Sequence, residues 1–234
     1  MSQGCTNCGQ KGGCDARKHG MFGAIDEALA RLYPTRRWDE RDEAAGFGAG
    51  LGPGEGDALA AALADRLRAA TLYRPGAADE TCDYVYVLCV GRTPSLVELR
   101  ESALESGARA ALADAIAEGP VTEVYLRIAL STLAPFAAVQ EVVLTAGPDP
   151  DGALVVTEAP RAGIFAPTLL KRLQLLVGVL AERNIRHLDF GEIVEPPAGF
   201  DPGSYPAEYG GLPGIANYLF YPQPPSAVAT TTLT

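Results

Sequence analysis

The sequence lacks basic runs and contains few lysines and histidines. Lys11, Lys18 and Lys171 are its lysines, His19 and His187 are its two histidines, and its formal net charge is −10. A nucleic-acid-binding protein needs cationic side chains to neutralise the phosphate backbone, so this charge balance excludes a dedicated nucleic-acid binder. With two histidines and no Ser or Cys at nucleophile spacing, a hydrolytic triad is not indicated either.

A secretory signal and a long hydrophobic run are also absent. The N-terminus MSQGCTNCGQ has no cationic stretch followed by an apolar region, so we expect no signal peptide. The most apolar stretch, 164–180, is interrupted by Lys171, Arg172 and Gln174, so we expect a helix there and no membrane span. Without a signal for export, we expect a cytoplasmic location, where thiols are kept reduced.

The chain does contain enough apolar residues to fold. It has 234 residues, 47% of them hydrophobic, and a chain of this size buries close to 70% of its unfolded surface without covalent cross-links. It also has five cysteines, three of them within the first fourteen residues. Clustered thiols in a reducing compartment indicate metal or redox chemistry more than disulfides, and an odd number cannot all pair.

Hydrophobic periodicity predicts an α+β fold, with a mixed β-sheet and helices packed on it. Repeats of three and four residues predict helices, and alternating or β-branched runs predict strands. We expect helices over 21–33, 58–72, 95–117 and from 167 to about 180, and strands over 83–90, 121–130, 139–146, 153–158 and 187–194. The strand over 121–130 should be half-buried, because apolar residues alternate with polar ones.

Composition divides the chain into four regions. Residues 1–20 form a cysteine- and glycine-rich metal-binding segment, and 21–82 form a small helical region. The helical region contains a Gly-rich linker at 46–56, where glycine occupies every second position. Residues 83–195 form the α+β core domain, and 196–234 form a Pro/Gly/Tyr-rich C-terminal extension. We expect this extension to wrap over the folded body without forming regular elements, because prolines interrupt it.

The N-terminal cysteines have the spacing of a metal-binding loop. Cys5, Cys8 and Cys14 form C-x2-C-x5-C among glycines, which allow the backbone to bend so that N–H groups can point at sulfur. Two thiolates at C-x2-C spacing can reach one metal centre, and hydrogen bonds to sulfur tune the potential of an iron–sulfur cluster. We therefore expect these cysteines to bind a [4Fe–4S] cluster.

A [4Fe–4S] cluster takes four thiolates, so the fourth must come from Cys82 or Cys89. We prefer Cys82, because the Pro-Gly-containing loop before it can meet a flexible N-terminal segment. Cys89 lies near the turn that opens the next helix, where open sheets place their chemistry. Its alternative role is that of a small buried residue in a strand.

The expected function is that of a cytoplasmic iron–sulfur protein in electron transfer, or an accessory to a redox enzyme system, with a redox protein as partner. Zinc is the alternative metal, with Cys82, Cys89 or His19 as its fourth ligand. The chain would then be a zinc-stapled protein-interaction module. A third possibility is an enzyme whose cluster has an open coordination site and acts as a Lewis acid. The sequence indicates no particular reaction.

Overall fold

The structure is a computed structural model that describes residues 16–42, 54–67, 71–73, 82–91, 95–100, 105–161, 167–189, 193–205, 212–220 and 229–232. These residues form six helices, namely α1 (Ala16–Leu32), α2 (Glu55–Leu67), α3 (Ser95–Arg100), α4 (Ser106–Glu118), α5 (Pro167–Glu182) and α6 (Ile215–Leu219). They also form seven strands, namely β1 (Thr71–Tyr73), β2 (Cys82–Val90), β3 (Val121–Ser131), β4 (Phe136–Pro148), β5 (Leu154–Arg161), β6 (Arg186–Asp189) and β7 (Ala229–Thr232).

The strands form one mixed sheet in the order β1-β2-β3-β4-β5-β7, in which each neighbouring pair is antiparallel. One edge of β4 pairs with β3. Its other edge is shared, because β6 pairs with its first part in parallel and β5 pairs with its second part. The predicted mixed sheet with packed helices is therefore confirmed. No helix in the described ranges is long and apolar enough to cross a membrane.

The helices α2 and α5 cover one face of the sheet. The side chains of Leu169, Leu176, Val179 and Leu180 lie on one side of α5 and are buried. They pack with residues of α2 and with alternate residues of β2, β3 and β4. The spacing of three and four residues produces this apolar stripe, and burying it against the strands holds α5 on the sheet.

The opposite face carries two further apolar clusters. Near the start of β2, α1 and α6 form what we call the end cluster, which comprises Ile25, Ala28, Leu29, Leu32, Tyr33, Ala129, Leu133, Ala134, Phe136, Ala138, Leu188, Ile193, Ile215, Ala216, Tyr218, Leu219 and Phe220. Farther along the same face, α3 and α4 pack on Tyr86, Tyr125, Val142 and their neighbours. The sheet is thus covered by helices on both faces.

Three predicted helices were wrong in extent. The helix expected over 21–33 is α1, which already begins at Ala16. The helix expected over 58–72 is α2 at 55–67, and Thr71–Tyr73 instead form β1, in register with Tyr86–Leu88 of β2. Pairing at the sheet edge prevails there over helical periodicity, as is usual for Thr and Tyr. The helix expected over 95–117 is two helices, α3 and α4. Ser106 and Gly107 lie in the first turn of α4, and both residue types are unfavourable inside a continuous helix.

The later part of the chain also differs from expectation. The strand expected over 187–194 is β6 at 186–189, and Ile193 instead joins the end cluster. The C-terminal extension contains regular elements, α6 and β7, although none was expected. The sequence IANYL of α6 contains no proline, so it can fold as a helix. The preceding residue must be glycine, because a Cβ on Gly214 would lie 2.2 Å from the Val194 carbonyl oxygen.

The buried hydroxyl of Tyr33 predicts a loss of stability at alkaline pH. It donates a hydrogen bond to the Tyr218 carbonyl oxygen at 3.1 Å, and burial raises the pKa of Tyr33 to about 12, against the lowering effect of Arg41. Since this pKa exceeds the unfolded value of about 10, the contribution of Tyr33 is full below pH 10 and is lost as the pH rises to 12. Two pKa units correspond to roughly 2–3 kcal/mol.

Tyr33→Phe should therefore change the pH dependence of the free energy of unfolding. At pH 8 the variant should be less stable than the wild type by about 1 kcal/mol, because a hydrogen bond is lost. Between pH 10 and 12 this difference should shrink or reverse, since Phe has no proton to lose. Urea unfolding followed by circular dichroism at several pH values measures the free energy of unfolding of both proteins. The titration of the other tyrosines contributes to both values and cancels in their difference. A difference that stays constant over this range would contradict the prediction.

Candidate functional site

The cysteines expected to bind a metal fall partly outside the described residues. Cys5, Cys8 and Cys14 lie outside them, as does the side chain of His19 in α1. The backbone of Cys82 is described and begins β2, where it pairs in register with Ser131. Cys89 is the eighth residue of the same strand. Within the described ranges, no group of three or more His, Cys, Asp or Glu residues is arranged to hold a metal ion.

The two candidates for the fourth ligand lie at opposite ends of β2. Seven residues of a strand span about 23 Å, at about 3.3 Å per residue. Metal–sulfur bonds are about 2.3 Å long, so a single metal centre cannot bridge this distance. Cys82 and Cys89 are therefore mutually exclusive as ligands of one cluster.

Cys89 has contacts of its own within the sheet. It lies at a β-bulge, because the pairing with β3 shifts between Leu88 and Val90. Its thiol donates a hydrogen bond to the Val87 carbonyl oxygen at 3.5 Å, and the side chain packs beside the α2–α5 face of the core. Burial raises the pKa of the Cys89 thiol, although a hydrogen bond from Arg172 lowers it. These contacts favour a neutral, packed thiol over a metal-binding thiolate.

Cys82 begins its strand at the end of the sheet that the end cluster covers. Two residues along the strand, Tyr84 pairs with Ala129 and packs against this cluster. Ser131, opposite Cys82, donates its hydroxyl proton to the Leu219 carbonyl oxygen at 2.5 Å and accepts a hydrogen bond from the Leu133 N–H. The strand start is thus tied to α6 and to the turn after β3.

The helix that follows the N-terminal cysteines packs on the same end of the sheet. Ile25, Leu29 and Leu32 of α1 are fully buried in the end cluster. Cys14 lies two residues before the first residue of α1, Ala16. The chain therefore leads from the cysteine-rich segment into an element that is anchored at the Cys82 end of β2.

A buried polar network was missed by the sequence reasoning. Arg127 of β3 is 2% exposed and donates hydrogen bonds to Glu158 of β5 and Gln140 of β4. Arg100, the last residue of α3, donates to the same Glu158 carboxylate and, at 3.0 Å, to the Tyr86 hydroxyl. The network links α3 to four strands, and it corrects the expectation that β3 is half-buried: both of its faces are covered.

A second buried carboxylate lies beside this network on the same face. Glu123 of β3 is 3% exposed, accepts a hydrogen bond from the Tyr125 hydroxyl, and accepts the Leu96 N–H at 3.0 Å. Leu96 lies in the first turn of α3. Burial, together with the neighbouring Glu123 carboxylate, raises the pKa of Tyr125 far above its ordinary value. Both carboxylates therefore position α3 on the sheet.

The only trace of these groups in the sequence is that Glu123 and Arg127 interrupt an otherwise apolar strand. Alternation along the strand assigned both residues to a solvated face, because their partners lie on other elements. Glu158 is 31 residues from Arg127 in the sequence, and Leu96 is 27 residues from Glu123. Their hydrogen bonds join protein groups to one another, which indicates a structural role. The cysteines remain the residues whose chemistry points most clearly to a function.

The network makes Glu158 far more important for stability than an exposed glutamate with a similar partner. Glu158→Ala should cost about 3–5 kcal/mol, because two guanidinium groups lose a buried carboxylate. Glu182→Ala is the matched control, since Glu182 accepts Arg66 at 2.7 Å but its side chain is 58% exposed. That change should cost less than about 1 kcal/mol. Urea unfolding of both variants at low protein concentration measures the difference, and equal losses would refute a stabilising role for the network.

Known proteins offer no guide to the role of these residues. Comparison of the chain with protein-family models, with curated proteins and with solved structures found no match. A function must therefore be inferred from the residues and geometry of the chain itself.

Proposed function

We propose that the chain is an iron–sulfur protein in which Cys5, Cys8, Cys14 and Cys82 bind a [4Fe–4S] cluster. The observation that carries this choice is the position of Cys82. It begins β2 at the sheet end where α1 packs, and α1 directly follows the segment that holds the other three cysteines. A ligand at this end can meet that segment without the chain crossing the sheet.

The donor set suits iron more than a hard cation. Four thiolates are soft ligands, which favour Fe–S clusters or zinc over magnesium or calcium. When bound, a [4Fe–4S] cluster accepts and donates one electron. The chain would contribute its thiolates, the glycines that let the N-terminal loop bend, and a rigid strand end for the fourth ligand. Binding would also supply the free energy that orders the N-terminal loop.

Cys89 is the spare cysteine in this proposal. Its thiol already donates a hydrogen bond to the Val87 carbonyl oxygen, and its raised pKa disfavours the thiolate that a metal requires. Its distance from Cys82, about 23 Å by strand geometry, separates it from any centre that Cys82 binds. Five cysteines thus divide into four ligands and one packed residue.

The role proposed for the cluster is electron transfer, or assistance to another redox enzyme, with a redox protein as partner. The described polar networks join protein groups to one another, so they suggest no substrate chemistry of their own. Cytoplasmic location belongs to the same proposal, because reduced thiols are needed for the cluster to assemble.

Three cysteine substitutions test the ligand assignment. Cys8→Ala and Cys82→Ser should each lower the iron and sulfide content several-fold and remove the broad absorbance near about 400 nm that marks such clusters. Cys89→Ser is the matched control on the same strand, and it should keep the full content. The measurement is iron, zinc and acid-labile sulfide on full-length protein purified anaerobically, together with the visible spectrum before and after reductant.

Each alternative outcome has a definite meaning. Zinc without sulfide would overturn the cluster and favour the zinc-stapled interaction module. Full iron in the Cys8→Ala protein would overturn the whole assignment. Loss of iron in Cys89→Ser with retention in Cys82→Ser would reverse the choice of fourth ligand. Full iron in both strand variants would leave three thiolate ligands, which would favour an open-site cluster that acts as a Lewis acid.

A further inference from the structure

The outward face of α5 carries apolar side chains that the sheet does not cover. Leu170 is 44% exposed and Leu175 is 46% exposed, although the opposite side of the helix is fully packed. Gly178 also faces outward, and a Cβ placed on it would meet no heavy atom within 4 Å. Leu170 and Leu175 lie about 140° apart around the helix axis, so they flank the outward face, and Gly178 lies between them.

Four residues of this outer face have the spacing of a helix–helix seam. Lys171, Leu175, Gly178 and Glu182 follow one another at intervals of four, three and four residues. At 100° per residue they fall within about 60° of one another around the helix axis. This is the spacing of the a and d positions along which one helix packs on another.

The seam is complementary to the same seam of a second copy when the two helices are antiparallel. In an antiparallel pair with the two-fold axis between residues 176 and 177, Lys171 faces Glu182 of a second copy, and Leu175 faces Gly178 of that copy. One axis satisfies both pairings, each of them twice, as an isologous interface requires. The ammonium group meets a carboxylate, and the leucine side chain meets the space that glycine leaves open.

We propose that α5 is the contact surface for a second copy of this chain, packed antiparallel along Lys171, Leu175, Gly178 and Glu182. Glu182 already accepts Arg66 within its own chain, at 2.7 and 2.9 Å, but its side chain is 58% exposed. A carboxylate has about four acceptor sites, so it can take Lys171 of the second copy as well.

The expected dimer is weak and depends on concentration. Three helical turns bury much less than the roughly 800 Å² per partner of a standard stable interface. We expect a dissociation constant in the micromolar range or above, from about 10 µM to about 1 mM. The dimer forms through a helix on the opposite face of the sheet from the end cluster, so it is independent of cluster binding.

Sedimentation of the full-length chain over this concentration range tests the proposal. Gly178→Arg fills the open space with a large cation, and it should raise the dissociation constant at least tenfold. Gly107→Arg is the matched control, because Gly107 is also helical, exposed and free of neighbours within 4 Å of a Cβ, but lies on α4. That variant should associate like the wild type. A chain that stays monomeric throughout, or a dimer that Gly178→Arg leaves unchanged, overturns the proposal.

A charge exchange tests the antiparallel direction. Lys171→Glu alone places carboxylates opposite each other, and Glu182→Lys alone places ammonium groups opposite each other, so each variant should dimerise at least tenfold more weakly than the wild type. An equal mixture of the two restores opposite charges at both ends of the seam and should form heterodimers with an affinity near that of the wild type. If the mixture associates no better than either variant alone, the antiparallel seam is wrong.

Discussion

The carboxylate of Glu158 accepts hydrogen bonds from two guanidinium groups, and the arrangement of one face of the sheet depends on it. Arg127 of β3 donates hydrogen bonds to this carboxylate and to Gln140 of β4, and Arg100 at the end of α3 donates to the same carboxylate. Charges removed from water are costly unless they are paired and hydrogen-bonded, so these side chains restrict the packing of α3 to one position. Apolar contacts alone would tolerate several positions, since hydrophobic burial has no direction.

The two ends of β2 have different environments, and this difference carries the functional interpretation. At its start, Cys82 pairs with Ser131, next to the end cluster that α1 and α6 form. Near its other end, Cys89 lies at a bulge, and its thiol donates a hydrogen bond to the Val87 carbonyl oxygen. The strand keeps the two thiols too far apart to serve one centre. Cys89 contributes to packing, and the proposed ligand Cys82 lies at the end of β2 where α1 packs.

Local pattern predicted the strands and most helices, because alternation and three-to-four spacing depend on neighbouring residues. The prediction failed where a partner distant in sequence determines the secondary structure or the burial of a residue. Thr71–Tyr73 became a strand because Tyr86–Leu88 offered an edge, and Glu123 and Arg127 are buried because α3 and Glu158 meet them. For the candidate site, sequence reasoning identified the spacing of the N-terminal cysteines and preferred Cys82 to Cys89 as the fourth ligand. The length of β2 shows in addition that these two residues lie too far apart to bind one centre.

The shared edge of β4 has a mechanical consequence. β6 pairs with β4 up to Val139, and β5 pairs with it from Glu141 onward, so β4 changes partner at Gln140. The two parts of the sheet can twist differently on either side of this residue, which makes it the natural axis for a bend. The Gln140 side chain accepts a hydrogen bond from Arg127, on the strand whose pairing with β4 runs unbroken past this point. A bend there would stretch that bond, so the buried charges oppose hinge motion of the sheet.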